Sequence, residues 1–204
     1  MKFNNTGVAE MDAYLYIPST EKTDALMCGI KLSVWGEKTL ILNGYPAQCI
    51  SALLNPRDDI KKYKSSDYAC LRVDIKPESC YIADKSLYGS KELDELYAKS
   101  IISPKDYVFG TYRNPECLIS RTILPENLSD ADKPQGCPLL YQNSEELYVN
   151  NLLEKFKENS PDFNETILSL FIELNQRDWK LTKYTNNDLI ILGNQDDGTY
   201  YTIR

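Results

Sequence analysis

Cys49-Ile50-Ser51-Ala52-Leu53-Leu54 runs directly into Asn55-Pro56-Arg57-Asp58-Asp59, and the stretch continues past Tyr63 to Ala69-Cys70-Leu71-Arg72-Val73-Asp74-Ile75. This segment sets the fold class. The first run is short and apolar, which suits a buried strand. Pro56 at a first helical position, with Asp58 and Asp59 in the first turn, starts a short helix that is expected to end near Tyr63. In the last run Leu71, Val73 and Ile75 alternate with other residues, the pattern of a half-buried strand.

Outward from this segment the same mixture recurs. Residues 13 to 18 read as a first strand ended by Pro18. Ser19 or Thr20 is expected to cap a helix through about Cys28, with Gly29 as its stop. Residues 30 to 35 read as a second short strand and Glu37 to Pro46 as a loop. Cys80 to Ala83 is a further strand, Ser90 caps a helix to about Ser100, Tyr107 to Gly110 is a short strand or turn, and Cys117 to Leu124 is a strand closed by Pro125. A loop follows from Asp130 to Pro138, after which the character changes. Ser144 caps a helix carrying Tyr148, Leu152 and Phe156. Ser160-Pro161 opens another, with Phe163, Ile167, Leu170, Phe171 and Leu174 on its apolar side. Trp179 to Ile203 reads as a three-stranded meander with turns at Asn186-Asn187-Asp188 and Asp196-Asp197-Gly198. Strands do not alternate regularly with long helices, so an α+β arrangement is expected rather than a doubly wound sheet. Residues 1–140 form the main domain in this reading, and residues 141–204 are a helical pair and small β-meander packed on the same body.

The bulk composition narrows the function. The chain has 204 residues, 42% hydrophobic and 26% charged, ordinary values for a globular protein. Its net charge is −7, which argues against a broad non-specific nucleic-acid surface while leaving room for a local basic groove such as Lys61-Lys62 and Lys64. No apolar run is long enough for a membrane-spanning helix, and Met1 to Glu10 is polar without a signal-peptide core, so a cytoplasmic protein with no membrane partner is expected.

The six cysteines, Cys28, Cys49, Cys70, Cys80, Cys117 and Cys137, form no CxxC pair and read mostly as small buried hydrophobes. There is no histidine. That removes Ser-His-Asp triads, Cys-His dyads and mixed Cys/His zinc sites, and it leaves Cys49 and Cys117 without a base to activate them. Asp58-Asp59 and Asp196-Asp197-Gly198 lack the spacing of calcium loops, and no metal site is expected.

Three segments carry a resemblance. They are Tyr16-Ile17-Pro18-Ser19-Thr20 through Ala25-Leu26-Met27-Cys28-Gly29-Ile30-Lys31-Leu32-Ser33, then Leu53-Leu54-Asn55-Pro56-Arg57-Asp58-Asp59 with Tyr63, and Tyr112-Arg113-Asn114-Pro115-Glu116-Cys117-Leu118-Ile119 followed by Leu124-Pro125-Glu126-Asn127-Leu128. In this order they resemble the DarT-type DNA ADP-ribosyltransferases, over roughly residues 13 to 130. The resemblance implies a split mixed β-sheet core with helices, NAD as substrate, and a macromolecular acceptor that is DNA, RNA or protein. It also implies a role as a toxin or defence factor, with an antitoxin or immunity partner. Glu116 falls on the family's catalytic glutamate and Arg57 on its active-site arginine. Asn55 shares that segment, and Tyr63 matches its trailing tyrosine. The family's first strand commonly carries a histidine that helps hold NAD. Here it reads Tyr14-Leu15-Tyr16-Ile17-Pro18, so a tyrosine or backbone group replaces that histidine, or NAD is held differently, or the site is inactive.

The implied chemistry needs no histidine. Cleavage of the nicotinamide–ribose bond passes through an oxocarbenium-like state, and nicotinamide leaves without protonation. One carboxylate, Glu116, supplies electrostatic stabilisation and helps deprotonate the attacking group. Arg57 suits the pyrophosphate, because its planar fork pairs with two oxygens. Asn55 suits a ribose or the carboxamide, and Tyr14, Tyr16 or Tyr63 suits the nicotinamide ring. Without the resemblance, Glu116 reads as a strand-edge surface carboxylate and Arg57-Asp58-Asp59 as a solvated helix start. Two other functions stand beside the transferase: a catalytically inactive module of the same fold that binds a nucleotide or protein, and an interaction protein of unrelated α+β fold.

Overall fold

The computed structural model describes residues 2–3, 9–42, 44–131, 140–158 and 160–204; Cys137 and most of the loop expected at Asp130 to Pro138 lie outside them. The chain divides into two compact units. The first comprises Met1–Ile82, Ser103–Tyr107 and Glu116–Asn143, and the second Ala83–Ile102, Val108–Pro115 and Ser144–Arg204. The division is therefore not a single cut near residue 140, because two earlier segments belong with the C-terminal residues.

The main sheet has eight strands: β1 (Lys2–Phe3), β2 (Ala9–Pro18), β3 (Lys38–Leu42), β4 (Tyr45–Leu53), β5 (Tyr68–Ile75), β6 (Cys80–Asp84), β7 (Pro115–Ile119) and β8 (Leu128–Asp130). Six of them lie in the order β6-β7-β4-β2-β5-β8, with β1 paired to β2 and β3 to β4. The pairs β1–β2, β2–β4, β2–β5, β3–β4, β4–β7 and β5–β8 are all antiparallel, where a mixed arrangement was expected. Parallel neighbours need long crossover connections. The helices of this unit, α1 (Lys22–Cys28), α2 (Leu32–Trp35) and α3 (Ile60–Lys64), are only seven, four and five residues long. β2 and β5 pair along their length, from Met11↔Ile75 to Pro18↔Tyr68, whereas β2 meets β4 only at Tyr14↔Leu53. The sheet is thus pinched at that one pair.

Period-2 alternation gives the sheet two different faces. Ala13, Leu15 and Ile17 of β2 and Leu71, Val73 and Ile75 of β5 point to one side and are buried. Tyr14, Tyr16, Cys70 and Arg72 point to the other.

Several local readings change. Residues 30 to 35 alternate like a strand, but only Ile30 joins a strand partner. It exchanges both backbone hydrogen bonds with Ile123, at 2.8 and 2.9 Å. The chain then turns into α2, and Val34 is left exposed. The expected loop at 37–46 is the hairpin β3–β4, registered from Leu42↔Tyr45 to Lys38↔Cys49. Its turn includes Gly44, at φ +83°, and the Asn-Gly pair at 43–44 is a strong hairpin signal that outweighs Pro46. Asn43 itself lies outside the described residues. Ser19 does not cap α1, because its hydroxyl donates to Ser66 O (2.7 Å) and its N–H to Asp67 O (2.8 Å). The helix does stop at Gly29. β7 ends at Ile119 rather than Leu124, and of the strand or turn expected at Tyr107 to Gly110 it is the turn that forms.

In the second unit α4 (Asp94–Ser100), α5 (Ser144–Lys157) and α6 (Glu165–Leu174) accompany a meander of β9 (Thr182–Asn186), β10 (Leu189–Gly193) and β11 (Tyr200–Ile203). The meander matches the sequence reading, with Leu189↔Asn186 closing the first turn. α6 begins later than Ser160-Pro161, because Asn164 caps it by accepting from Ile167 N at 3.0 Å. Leu168, Ile172, Leu181, Leu192 and Ile203 form the core. Phe156 lies against Phe163, Phe171, Trp179 and Tyr201, with ring centroids 5.6–6.4 Å apart.

Candidate functional site

The pinched pair organises the polar face of the first unit. Cross-strand partners share a face, so one transverse row reads Glu116 (β7), Leu53 (β4), Tyr14 (β2) and Arg72 (β5). Tyr16, Leu53 and Cys70 form a buried cluster on this face, with Tyr14, Tyr63, Tyr68 and Ala131 packed against it. The hydroxyl of Tyr16 donates to Pro56 O at 2.7 Å and so ties β2 to the Asn-Pro-Arg segment. Burial raises the phenol of Tyr16, with Cys70, Asp59 and Tyr63 adding to the effect, and burial also raises that of Tyr14. Both therefore remain neutral hydrogen-bonding groups at physiological pH.

Asn55-Pro56-Arg57-Asp58 folds locally as a capping box. Asn55 Oδ1 accepts from Arg57 N at 2.9 Å, and Asn55 N donates to Asp58 Oδ2 at 3.2 Å. The Asn55 side chain is thus engaged in setting the turn. Arg57 is half-buried, and its guanidinium carbon lies 5.4 Å from the centre of the Tyr63 ring. Its Nε is enclosed and has no hydrogen-bond partner among the described residues. Asp59 caps α3 by accepting from Lys62 N. The segment is a built turn rather than a freely solvated helix start.

Glu116 is not a surface carboxylate: it is 0% exposed. Lys38 Nζ, itself 4% exposed, donates to its two oxygens at 2.6 and 2.8 Å, and Ser51 Oγ donates to Oε2 at 2.5 Å. Burial raises the neighbouring Cys49 thiol, the Glu116 carboxylate raises it further, and Lys38 opposes them. Cys117 is also raised, first by its hydrogen bond with Cys80 and then by burial. Neither thiol is favoured as a thiolate nucleophile.

The fold brings together Tyr14, Tyr16, Tyr63, Arg57 and Asn55, and it sets Glu116 in register with Leu53 of the same cluster. The sequence reading missed Lys38, Ser51 and Arg72. Lys38 lies where the sequence predicts a loop, and its partner is 78 residues away, so no local pattern reveals the pair. Arg72 could have been assigned to the face opposite Leu71 and Val73, but not beside Tyr14. Of the basic cluster, Lys62 lies over the Tyr68 ring at 5.4 Å, while Lys61 and Lys64 are exposed.

Near the outer edge of the face, a hollow of about 330 Å³ is lined by Ser19, Lys22, Tyr68, Cys70, Asp130 and Ala131, among others. Lys22 and Asp130 form an ion pair on its wall. Among the described residues no group of three or more His, Cys, Asp or Glu side chains is placed to hold a metal ion, and no helix is long and apolar enough to cross a membrane.

No protein-family profile, curated protein or solved structure matches the chain.

Proposed function

We propose that the chain is an NAD-dependent ADP-ribosyltransferase acting on a macromolecular acceptor. The observation that carries this reading is the row joining Glu116, Leu53 and Tyr14 across adjacent strands, with Arg57 four residues beyond Leu53 and stacked on Tyr63. One face thereby offers a carboxylate for a developing oxocarbenium, an arginine for phosphate and aromatic rings for nicotinamide. All three segments that resemble the transferases contribute a residue to it: Tyr16 clusters with Leu53 and donates to Pro56 O, and Leu53 pairs with Glu116. The chemistry assigns Glu116 to the cleavage, Arg57 to the pyrophosphate, and Tyr14 in the first strand to part of the role that histidine has in the family. The acceptor (DNA, RNA or protein), a toxin or defence role with an antitoxin or immunity partner, and a cytoplasmic setting belong to the same proposal.

One observation favours a second reading, an inactive module of the same fold that binds NAD or a partner. Glu116 is sealed from solvent and neutralised by Lys38, and a paired ammonium offsets the negative charge that the reaction would use. Nicotinamide release from NAD by the wild type and by Glu116→Gln, with and without single-stranded DNA and a cell lysate, separates the readings. Release that vanishes in a variant shown to be folded by circular dichroism supports the transferase. NAD binding without release under any condition supports the inactive module, and absence of both binding and release removes both.

A further inference from the structure

We propose that Arg72 is a second anion-binding residue of this face, and that with Arg57 it receives the two phosphates of a pyrophosphate-bearing nucleotide. This rests on the proposed NAD site for the identity of the ligand.

Arg72 is the register partner of Tyr14, and its neighbour Cys70 is that of Tyr16. Its side chain therefore shares the tyrosine-lined face near Tyr63, over which Arg57 lies. Both arginines have the same unusual feature: an enclosed Nε with no hydrogen-bond partner among the described residues. A guanidinium is always charged, and leaving one of its donors out of water without an acceptor is unfavourable. An anion on this face would supply the missing acceptor. The ring of Tyr14 lies beside Arg72 closely enough for its charge to oppose the rise in the Tyr14 phenol pKa.

The face also has a direction. The next pair on this face of β2 and β5 is Asp12↔Asp74, so acidic groups lie on one side of Arg72 and Cys70 and Tyr16 on the other. An anion held by Arg72 is therefore favoured on the side toward Tyr16 and Arg57. Two arginines flanking neutral phenols suit a diphosphate, because each planar fork takes two oxygens while the rings accommodate an attached sugar or base.

Titration calorimetry with ADP-ribose and with inorganic pyrophosphate, on wild type, Arg72→Met and Arg72→Lys, tests the assignment, with circular dichroism reporting folding. The wild type is expected to bind both ligands. Arg72→Met is expected to weaken both by roughly 10–100-fold, the scale of a lost charge-assisted bond, and Arg72→Lys to recover only part, because it keeps the charge and loses the fork. If Arg72→Met unfolds, the folded Arg72→Lys variant decides: a loss of several-fold supports the assignment and unchanged affinity overturns it. Unchanged affinity in Arg72→Met overturns it while leaving a wild type that releases nicotinamide as a transferase. Weakened binding in the variants, with a wild type that never releases nicotinamide, upholds Arg72 and removes the transferase. A wild type that binds neither ligand overturns the anion site outright.

Discussion

Lys38 Nζ reaches both carboxylate oxygens of Glu116, at 2.6 and 2.8 Å, in an ion pair whose members are 4% and 0% exposed. Ser51 adds a third donor at 2.5 Å. Burial of two charges is tolerable only when each satisfies the other, so this contact governs both the stability of the first unit and the charge available for chemistry at Glu116.

Removing the cation alone is therefore expected to be costly. Lys38→Met should lower unfolding free energy by about 3–5 kcal/mol, because it strands a carboxylate out of water. Urea denaturation reads the change. The double variant Lys38→Met/Glu116→Gln should recover part of the loss, and a single-variant loss below about 1 kcal/mol would mean that water screens the pair.

Gly29 ends α1 at φ +80°, and a Cβ there would lie 2.4 Å from the backbone oxygen of Ile123. Gly29→Ala meets both a disfavoured backbone region and a backbone atom that cannot swing aside. A loss of at least about 1–3 kcal/mol is expected in thermal or denaturant unfolding. Neutrality would show that the Ile30–Ile123 bridge moves freely.

Asn55→Ala should lose about 1 kcal/mol, the worth of an N-cap, and Asn55→Asp should keep most of it. The same pair tested for NAD affinity separates capping from direct contact. If Asn55 only shapes the Arg57 turn, Asn55→Asp binds NAD like the wild type; if its amide touches the ligand, Asn55→Asp loses affinity without losing stability.

In the second unit Asp84 is 0% exposed and accepts from Ser86 N, Ser86 Oγ and Tyr200 Oη. Burial raises its carboxyl pKa, while the hydrogen bonds from Ser86 and Tyr200 act against the rise. Below about pH 3.9, the ordinary aspartate value, folded and unfolded chains both hold the proton and the group's contribution is full. As pH rises past that value the unfolded chain ionises first, so stability falls until the raised folded pKa is passed. Asp84→Asn should remove this slope. The difference between wild type and variant in denaturant unfolding, followed by Trp179 fluorescence on a Trp35→Phe background, checks it; a difference that does not vary with pH would refute the shift.

The parts of the fold legible in sequence were those with a local cause. Leu71, Val73 and Ile75 alternate, and β5 forms there; Pro56 with Asp58 starts its turn; Gly29 stops α1; the turns at Asn186-Asn187-Asp188 and Asp196-Asp197-Gly198 delimit the meander. The misreadings came from competition between a local pattern and a distant partner. Ile30, Leu32 and Val34 have strand spacing, yet only Ile30 finds a strand edge, at Ile123. Ser19 has the chemistry of a cap, yet Ser66 and Asp67 occupy it.

By itself the sequence determined an α+β chain without histidine chemistry, while Arg57, Glu116 and the tyrosines from Tyr14 to Tyr16 were marked only by the resemblance to the transferases. Periodicity, turn chemistry and side-chain type act over a few residues and can be read without coordinates. Only the tertiary structure decided that Tyr14 stands between Leu53 and Arg72, that Lys38 neutralises Glu116, and that the sheet narrows to one pair between β2 and β4. Those relationships depend on strand register, and register is settled by which faces bury together across segments far apart in the chain.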